Sequence, residues 1–360
     1  MAAAAARDPD VGFPGPSFVA DGSGRPLSRS GSIQDWPVGF TIRGGAGRRV
    51  WLWYPAARLV GERFTLRDYL IEPFGATPSD RGITGFRRSV TAVATLSDDQ
   101  LSRLLATEMP VSRDAPSASG RFPVVLLGTG LNAPGYLLTE TAEFLARRGY
   151  IVAGAPSHGA REGEALAFDT TGVVALVALL NQARATAAAH PGADTSRLAV
   201  VAWSVGGVAG SAFAVRRGGV GALVSLDSGI EYRYGDSLLT AMAVDSRCLR
   251  APRLHLIAGG PPRVEVPRSR RVFDEPSLGA AYRLTVPELT HGEFTGPFGL
   301  RGAAVHDAAR RRVQRGQRRV EDALAGFLGR YLDGSRDTAA FEVSGLGRRA
   351  ADSAVSCPSR

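Results

Sequence analysis

The chain of 360 residues lacks the patterns that mark several large classes of protein. It contains no lysine, so its formal net charge of +9 rests on arginines, which stand singly or in short clusters such as Arg310, Arg311 and Arg312. Because no basic stripe alternates with aromatic residues, we expect no nucleic-acid partner. No apolar run approaches the length of a membrane span, so we expect no stable membrane insertion.

Cysteine is almost absent as well. The two cysteines, Cys248 and Cys357, show no metal-ligand spacing. They are compatible with a disulfide in an exported protein and equally with two free thiols. Residues 1–10 have an alanine run but neither the basic segment nor the apolar core of a signal peptide. Secreted and cytoplasmic locations therefore both stay open.

The composition along the chain predicts one domain between two flexible ends. Residues 1–35 are rich in Gly, Pro, Ser and Asp and predict a flexible arm, and residues 334–360 predict a flexible tail. The domain spans 36–333, with an insertion at 60–120. There Ser97 and Gln100 have capping-box spacing, which predicts a short helix that either covers the site as a lid or packs on the sheet edge. Its flanks, 78–84 and 110–120, predict loops.

Short apolar runs separated by helix-length segments predict an α/β domain. A hairpin at 39–43 and 48–54 comes first. Continuous apolar runs of this kind fit strands that are buried on both faces, as in a parallel sheet between two layers of helices. The predicted strands are 124–127, 151–155, 198–202, 222–226, 254–258 and 282–286. The predicted helices include 136–148, 170–189 and a closing helix at 305–332.

Ser204 follows directly on one of these buried strands and precedes a helix-compatible run. A serine in a tight strand-to-helix turn has its hydroxyl pushed out at the carboxyl end of the sheet, and the turn needs small residues two positions before and after it. Ala202 and Gly206 supply them. Ser204 is therefore the predicted nucleophile, and the alternative is an ordinary turn whose serine caps the helix.

A serine nucleophile needs a base, and the base needs an orienting acid. His291 follows the last predicted strand, where a loop carries it over the carboxyl end of the sheet, and is the predicted base. The other histidines have other interpretations. His158 lines the pocket or stabilises a turn, and His190 lies on the surface. His255 is a core residue, and His306 begins the last helix.

The acid is predicted from the strand next to the one that bears the serine. Asp227 stands at the carboxyl end of that strand and is the preferred orienting acid. Asp236, Glu231 and Glu265 are the alternatives, and Asp227 could instead be a turn aspartate that bonds its own backbone.

Glycines in the loop at 128–132 permit the close backbone approach that an oxyanion hole requires. We expect the backbone N–H groups of Leu131 and Val205 to serve as donors. An unliganded glycine-rich connection is the alternative. The residues expected to line the substrate site are Thr129, His158, Trp203 and Phe294.

With these residues in place, the chain resembles the platelet-activating-factor acetylhydrolase and dienelactone-hydrolase-like branch of the α/β-hydrolases. The resemblance covers about residues 38–332 and rests on Trp53-Tyr54-Pro55, the run 122–131, Ser204-Val-Gly-Gly, Leu226-Asp227 and His291-Gly-Glu-Phe294. It implies an α/β-hydrolase fold, with a mostly parallel central sheet, an N-terminal antiparallel hairpin and helices on both faces. The serine, acid, histidine order and the distance from Ser204 to Asp227 look like the acetylhydrolase arrangement. Thr129 stands where such relatives usually carry a histidine.

The resemblance implies hydrolysis of a small-molecule ester with a short or medium acyl group, through an acyl-serine intermediate and without metal or organic cofactor. Lipid degradation is the corresponding role. The alternatives are hydrolysis of a lactone, polyester or amide bond, or an inactive protein of this fold that binds a ligand. The oligomeric state is not predicted.

Overall fold

The computed structural model describes most of the chain from Asp35 onward. The described residues are 35–45, 49–62, 64–71, 75, 77–91, 97–159, 161–259, 269, 271–295, 307–333 and 346–357. The predicted arm at 1–35 lies outside them, apart from Asp35. Glu265 and His306 also lie outside the described residues.

The strands of the described residues form one mixed sheet. They are β1 (Val38–Arg43), β2 (Val50–Pro55), β3 (Val111–Arg113), β4 (Phe122–Gly128), β5 (Ile151–Gly154), β6 (Ala193–Trp203), β7 (Ala222–Leu226), β8 (Arg253–Ala258), β9 (Ala281–Val286) and β10 (Gly347–Arg349). Their order is β10-β9-β8-β7-β6-β4-β5-β2-β1-β3. All neighbours from β5 to β9 are parallel, whereas β2 runs antiparallel to β1 and β5. The mostly parallel sheet with an N-terminal hairpin is confirmed.

Helices cover both faces of this sheet. The α-helices are α1 (Asp80–Thr91), α2 (Asp98–Leu105), α3 (Thr139–Arg147), α4 (Thr170–Ala188), α5 (Gly206–Arg217), α6 (Arg233–Ala241), α7 (Arg271–Asp274) and α8 (Asp307–Leu332). None of the helices in the described residues is long and apolar enough to cross a membrane.

Alternation along the strands explains the two layers. In β4, Val124 and Leu126 belong to the core packed by α4, α5 and α6, which we call the α4–α6 layer. Val125 and Leu127 belong to the core packed by α3 and α8, which we call the α3–α8 layer. Successive side chains of a strand point to opposite faces, so a strand between two helical layers must be apolar throughout. The continuous apolar runs in the sequence reflect this requirement.

The insertion at 60–120 holds more regular structure than predicted. The predicted helix is α2: the Ser97 hydroxyl accepts from the Gln100 N–H at 3.2 Å, and the Gln100 side chain accepts from the Ser97 N–H at 2.9 Å. Leu101 and Leu104 are buried in the core of the α3–α8 layer.

Two segments predicted as loops are instead regular elements. Helix α1 begins within 78–84; its two glycines disfavour a helix, but Phe86 is fully buried and anchors the helix on the core. Strand β3 lies within 110–120, where it pairs with β1 through Val111 and forms the edge of the sheet. Both elements depend on tertiary contacts rather than on local preference.

Part of the predicted flexible tail is held on the sheet. Strand β10 pairs antiparallel with β9, and Cys357 forms a disulfide with Cys248. An edge strand presents unpaired backbone groups that another segment can satisfy. Residues 346–357 therefore depart from the predicted tail.

Candidate active site

Ser204 lies in the tight turn between β6 and α5. Its φ of 57° falls in the left-handed region, which costs energy for a residue with a side chain and occurs mainly where function requires it. The Ser204 carbonyl accepts hydrogen bonds from the N–H groups of Gly207 at 3.1 Å and Gly229 at 2.7 Å. This turn leaves Ser204 only partly buried at the carboxyl edge of the sheet.

The loop after β4 lies directly against this turn. A Cβ atom added to Gly206 would come within 2.4 Å of the carbonyl oxygens of Gly128 and Thr129, and one added to Gly130 would lie 3.1 Å from the Ser204 Cβ. Only glycine allows these approaches without a shift of the backbone. The loop at 128–132 is therefore adjacent to the serine, where the sequence places the oxyanion hole.

Asp227 directly follows β7 and is 1% exposed. Its carboxylate accepts the Ala258 N–H at 3.0 Å and the Tyr232 hydroxyl at 3.2 and 3.3 Å. Its Oδ2 atom also lies 2.8 Å from Nδ1 of His291. These donors fix the orientation of the buried carboxylate toward the imidazole.

His291 begins a short 3₁₀ helix, His291–Phe294, after β9. Its side chain is 46% exposed. With Nδ1–H donated to Asp227, the neutral imidazole presents Nε2 as a proton acceptor. The Trp203 ring stacks on the imidazole with 4.9 Å between the ring centroids, and Trp203 Nε1–H donates to the His291 carbonyl at 3.0 Å.

The turn that bears His291 is anchored on α8. Arg312 donates to the Glu293 carboxylate at 2.6 and 3.0 Å, and the N–H of Thr290 donates to it at 2.8 Å. Burial raises the pKa of Glu293, but the hydrogen bonds from Arg312 and Thr290 outweigh burial and hold that pKa below its usual value. The same bond raises the pKa of Arg312.

The structure thus brings the predicted acid and histidine into contact and places the predicted serine in the neighbouring turn. Asp227 and His291 are joined by a direct hydrogen bond. Ser204 is linked to His291 through the adjacent Trp203 and to the Asp227 turn through the Gly229 N–H. Sequence reasoning missed Tyr232, although a Tyr-x-Tyr pattern soon after the acid was an available signal.

The predicted oxyanion donors flank the serine. Val205 is the N-cap residue of α5, and Leu131 lies half-buried in the turn after β4. Within the described residues, neither N–H donates a backbone hydrogen bond in this turn region. Their role as donors stays a prediction.

The four predicted substrate-lining residues have different surroundings. Trp203 borders the His291 ring. Thr129 is 6% exposed and lines a small cavity behind the serine turn. His158 is half-buried, with Nδ1 at 2.9 Å from the Pro156 carbonyl. Phe294 is 1% exposed in the core of the α3–α8 layer, so it is a packing residue and not a pocket wall.

A residue that sequence reasoning did not select contacts the loop at 128–132. Ser157 is buried; its hydroxyl donates to the Gly130 carbonyl and accepts the Ala133 N–H at 2.8 Å. The predicted wall residue His158 is its neighbour. Nothing in the local sequence distinguishes the two, because the contact depends on how the β4 and β5 loops meet.

The alternative acids are engaged elsewhere. The Glu231 carboxylate contacts Nδ1 of His255, and both side chains are at most 1% exposed. The Asp236 carboxylate accepts a hydrogen bond from the Ser269 hydroxyl. Within the described residues, no group of three or more His, Cys, Asp or Glu side chains is placed to hold a metal ion.

Comparison with known proteins supports the architecture. No family model and no curated protein matches the chain. Among solved structures, it is similar to a ferulic acid esterase from Streptomyces cinnamoneus with a TM-score of 0.57 and 19% identity, over 89% of this chain and 98% of that chain. The chain has an α/β-hydrolase fold. At this identity the likeness shows the fold alone.

Proposed function

We propose that the protein is a serine hydrolase of carboxylic esters, with Ser204 as nucleophile, His291 as base and Asp227 as orienting acid. The observation that carries the proposal is the hydrogen bond between His291 and the buried Asp227, beside a serine held at positive φ. The fold shared with a ferulic acid esterase supports ester hydrolysis. No residue of the proposed triad is missing, which argues against an inactive binding protein.

The proposed reaction begins when Nε2 of His291 takes the Ser204 proton as Oγ attacks the ester carbonyl. The N–H groups of Leu131 and Val205 hold the oxyanion of the tetrahedral intermediate. His291 then gives the proton to the leaving alcohol, and an acyl-serine remains. Water attacks this acyl group in the same way and releases the acid, while Asp227 supports the imidazolium that forms in each step.

The acetylhydrolase branch and a short or medium acyl group remain the finer proposal. The position of Asp227 after β7 supports that branch over one whose acid follows a later strand. Thr129, which replaces the histidine of such relatives, is almost completely buried and lines a small cavity together with Gly206.

Hydrolysis of nitrophenyl esters of increasing acyl length tests the proposal. We expect wild-type turnover of the shorter esters and a loss of at least about 10³-fold in kcat for Ser204→Ala. Ser102→Ala, on the exposed face of α2, is the matched control and should keep full activity. A fluorophosphonate should modify the wild type at the peptide that contains Ser204.

Two results would overturn the proposal. One is a wild-type protein that hydrolyses no ester and takes up no fluorophosphonate. The other is a Ser204→Ala variant with wild-type activity, which would place the nucleophile elsewhere.

A further inference from the structure

An aromatic side chain lies in water close to the candidate active site. Phe168, which precedes α4, is 61% exposed, more than any other large hydrophobic residue in the described part of the chain. It stands one position before the Asp169 cap, where an apolar residue usually folds back on the first turn of its helix. Phe168 instead contacts Tyr234 of α6, with 5.2 Å between the ring centroids.

The aromatic row continues from Tyr234 to the orienting acid. Tyr234 stacks on Tyr232 with 5.8 Å between ring centroids and 6° between the ring planes. The Tyr232 hydroxyl donates to the Asp227 carboxylate. Burial, followed by the nearby charge of Asp227, raises the pKa of Tyr234 to about 12, so its hydroxyl is neutral in the working range of the protein.

The segment that carries the other end of the row is hydrogen-bonded to the loop at 128–132. The Asn132 side chain donates to the Leu166 carbonyl at 3.0 Å and accepts the Leu166 N–H at 2.7 Å. Asn132 directly follows Leu131, and Leu166 is two residues before Phe168. The segment that bears Phe168 is therefore fixed to the loop at 128–132, while Phe168 itself contacts Tyr234.

The layers of the fold indicate which half of an ester would meet these rings. Leu131, Leu166 and Tyr234 pack on the core of the α4–α6 layer. Trp203, which stacks on His291, and Phe294 of the histidine turn pack on the opposite core of the α3–α8 layer. The leaving alcohol must face His291 to receive its proton, so the acyl group extends away from the histidine, toward the aromatic row.

We propose that Phe168 and Tyr234 form an aromatic platform that binds a planar aromatic ring in the acyl group of the ester substrate. This inference rests on the proposed ester hydrolysis and adds an acyl class to it. Aromatic rings attract one another in offset or edge-to-face geometry beyond the gain from buried area. A platform of two rings therefore distinguishes an aromatic acyl group from a saturated one of similar size.

The test compares three methyl esters with the same alcohol: 3-phenylpropanoate, 3-cyclohexylpropanoate and acetate. We expect the wild type to have its highest kcat/KM on the phenyl ester. Phe168→Leu keeps an apolar side chain without the ring and should lower kcat/KM for the phenyl ester by about three- to tenfold. The values for the other two esters should change less than about twofold on the same reasoning.

Three further variants separate the platform from a general effect. Phe168→Tyr retains the ring and should restore the preference for the phenyl ester. Tyr234→Leu should reproduce the selective loss, which gives a second test on another element. Leu59→Ala removes a side chain that is 52% exposed and outside the row, and it should change none of the three values.

Each failure has its own meaning. Equal losses on all three esters, or no wild-type preference for the phenyl over the cyclohexyl ester, would overturn the platform and leave ester hydrolysis standing. Ring discrimination seen only between benzyl acetate and cyclohexylmethyl acetate would overturn the acyl assignment. A wild type inert on every ester would overturn the proposed function and the platform with it.

Discussion

Two pairs of histidine and carboxylate lie a few residues apart in this fold. Asp227 and Glu231 follow the same strand, and each contacts an imidazole, His291 or His255. His291 is 46% exposed at the edge of the sheet, whereas His255 is fully buried within β8. The first pair has a serine turn beside it, and the second is surrounded by Arg283 and core residues.

A contact between a histidine and a carboxylate therefore does not by itself identify a catalytic centre. A base must reach both a nucleophile and a substrate, so the edge of its ring that bears the accepting nitrogen has to be open. His291 meets that condition because it begins the turn after β9 instead of standing inside a strand. Glu231 and His255 join the residues after Asp227 to β8, a structural role that needs no access to solvent.

The largest expected effect on kcat comes from a variant of the Asp227–His291 pair. Asp227→Asn keeps the size of the side chain but can present an N–H to the imidazole, which then adopts the wrong tautomer. We expect kcat on a nitrophenyl ester at neutral pH to fall about 10⁴-fold, with little change in thermal melting temperature. A fall of less than tenfold would show that another carboxylate orients His291.

A second variant tests the buried pair. Glu231→Gln removes one partner of a pair that water cannot reach, and we expect the free energy of unfolding in urea to fall by about 3–5 kcal/mol. The kcat of the folded variant should change less than tenfold. Asp98→Asn, which breaks the exposed pair with Arg87, is the control and should leave stability unchanged. A larger effect of Glu231→Gln on kcat than on stability would contradict the structural role.

The smallest expected effect concerns the anchor of the histidine turn. The pKa of Glu293 is lower in the folded than in the unfolded state, so the ionised carboxylate stabilises the fold above the unfolded value of about 4.3, and this contribution is lost as the pH falls through the folded pKa. Glu293→Gln should therefore lower the free energy of unfolding by about 1 kcal/mol at pH 7, because the Arg312 partner is partly exposed.

Urea unfolding at pH 7 and at pH 3 measures this difference. The gap between wild type and Glu293→Gln should shrink at the lower pH. Glu162→Gln, in the exposed pair with Arg81, should show no such dependence. A gap that widens in acid would contradict the assignment.

The sequence predicted those features that local pattern determines. Buried strands are apolar throughout because both sheet faces are covered, and the carboxyl ends of β6, β7 and β9 carry the serine, aspartate and histidine within one to five residues. The fold was predicted correctly for this reason. The roles of the three residues remain proposals, but their convergence was expected.

Features that depend on contacts between distant segments were missed. Phe294 was predicted to line the pocket, yet it turns into the α3–α8 core. Helix α1 forms despite its glycines because Phe86 has a buried site. Ser157 supports the candidate site from a loop whose approach no local spacing encodes.

The disulfide has a topological consequence for the site. The bond between Cys248 and Cys357 closes a covalent ring of the intervening chain, and His291 lies on that ring whereas Ser204 and Asp227 lie outside it. Two covalent routes therefore connect the serine to the histidine. Both follow the chain to Cys248, where one continues along the chain and the other crosses the disulfide to Cys357 and returns along the tail. A protease that cuts the ring once would leave a molecule of unchanged mass on a non-reducing gel, and two fragments would separate only after reduction.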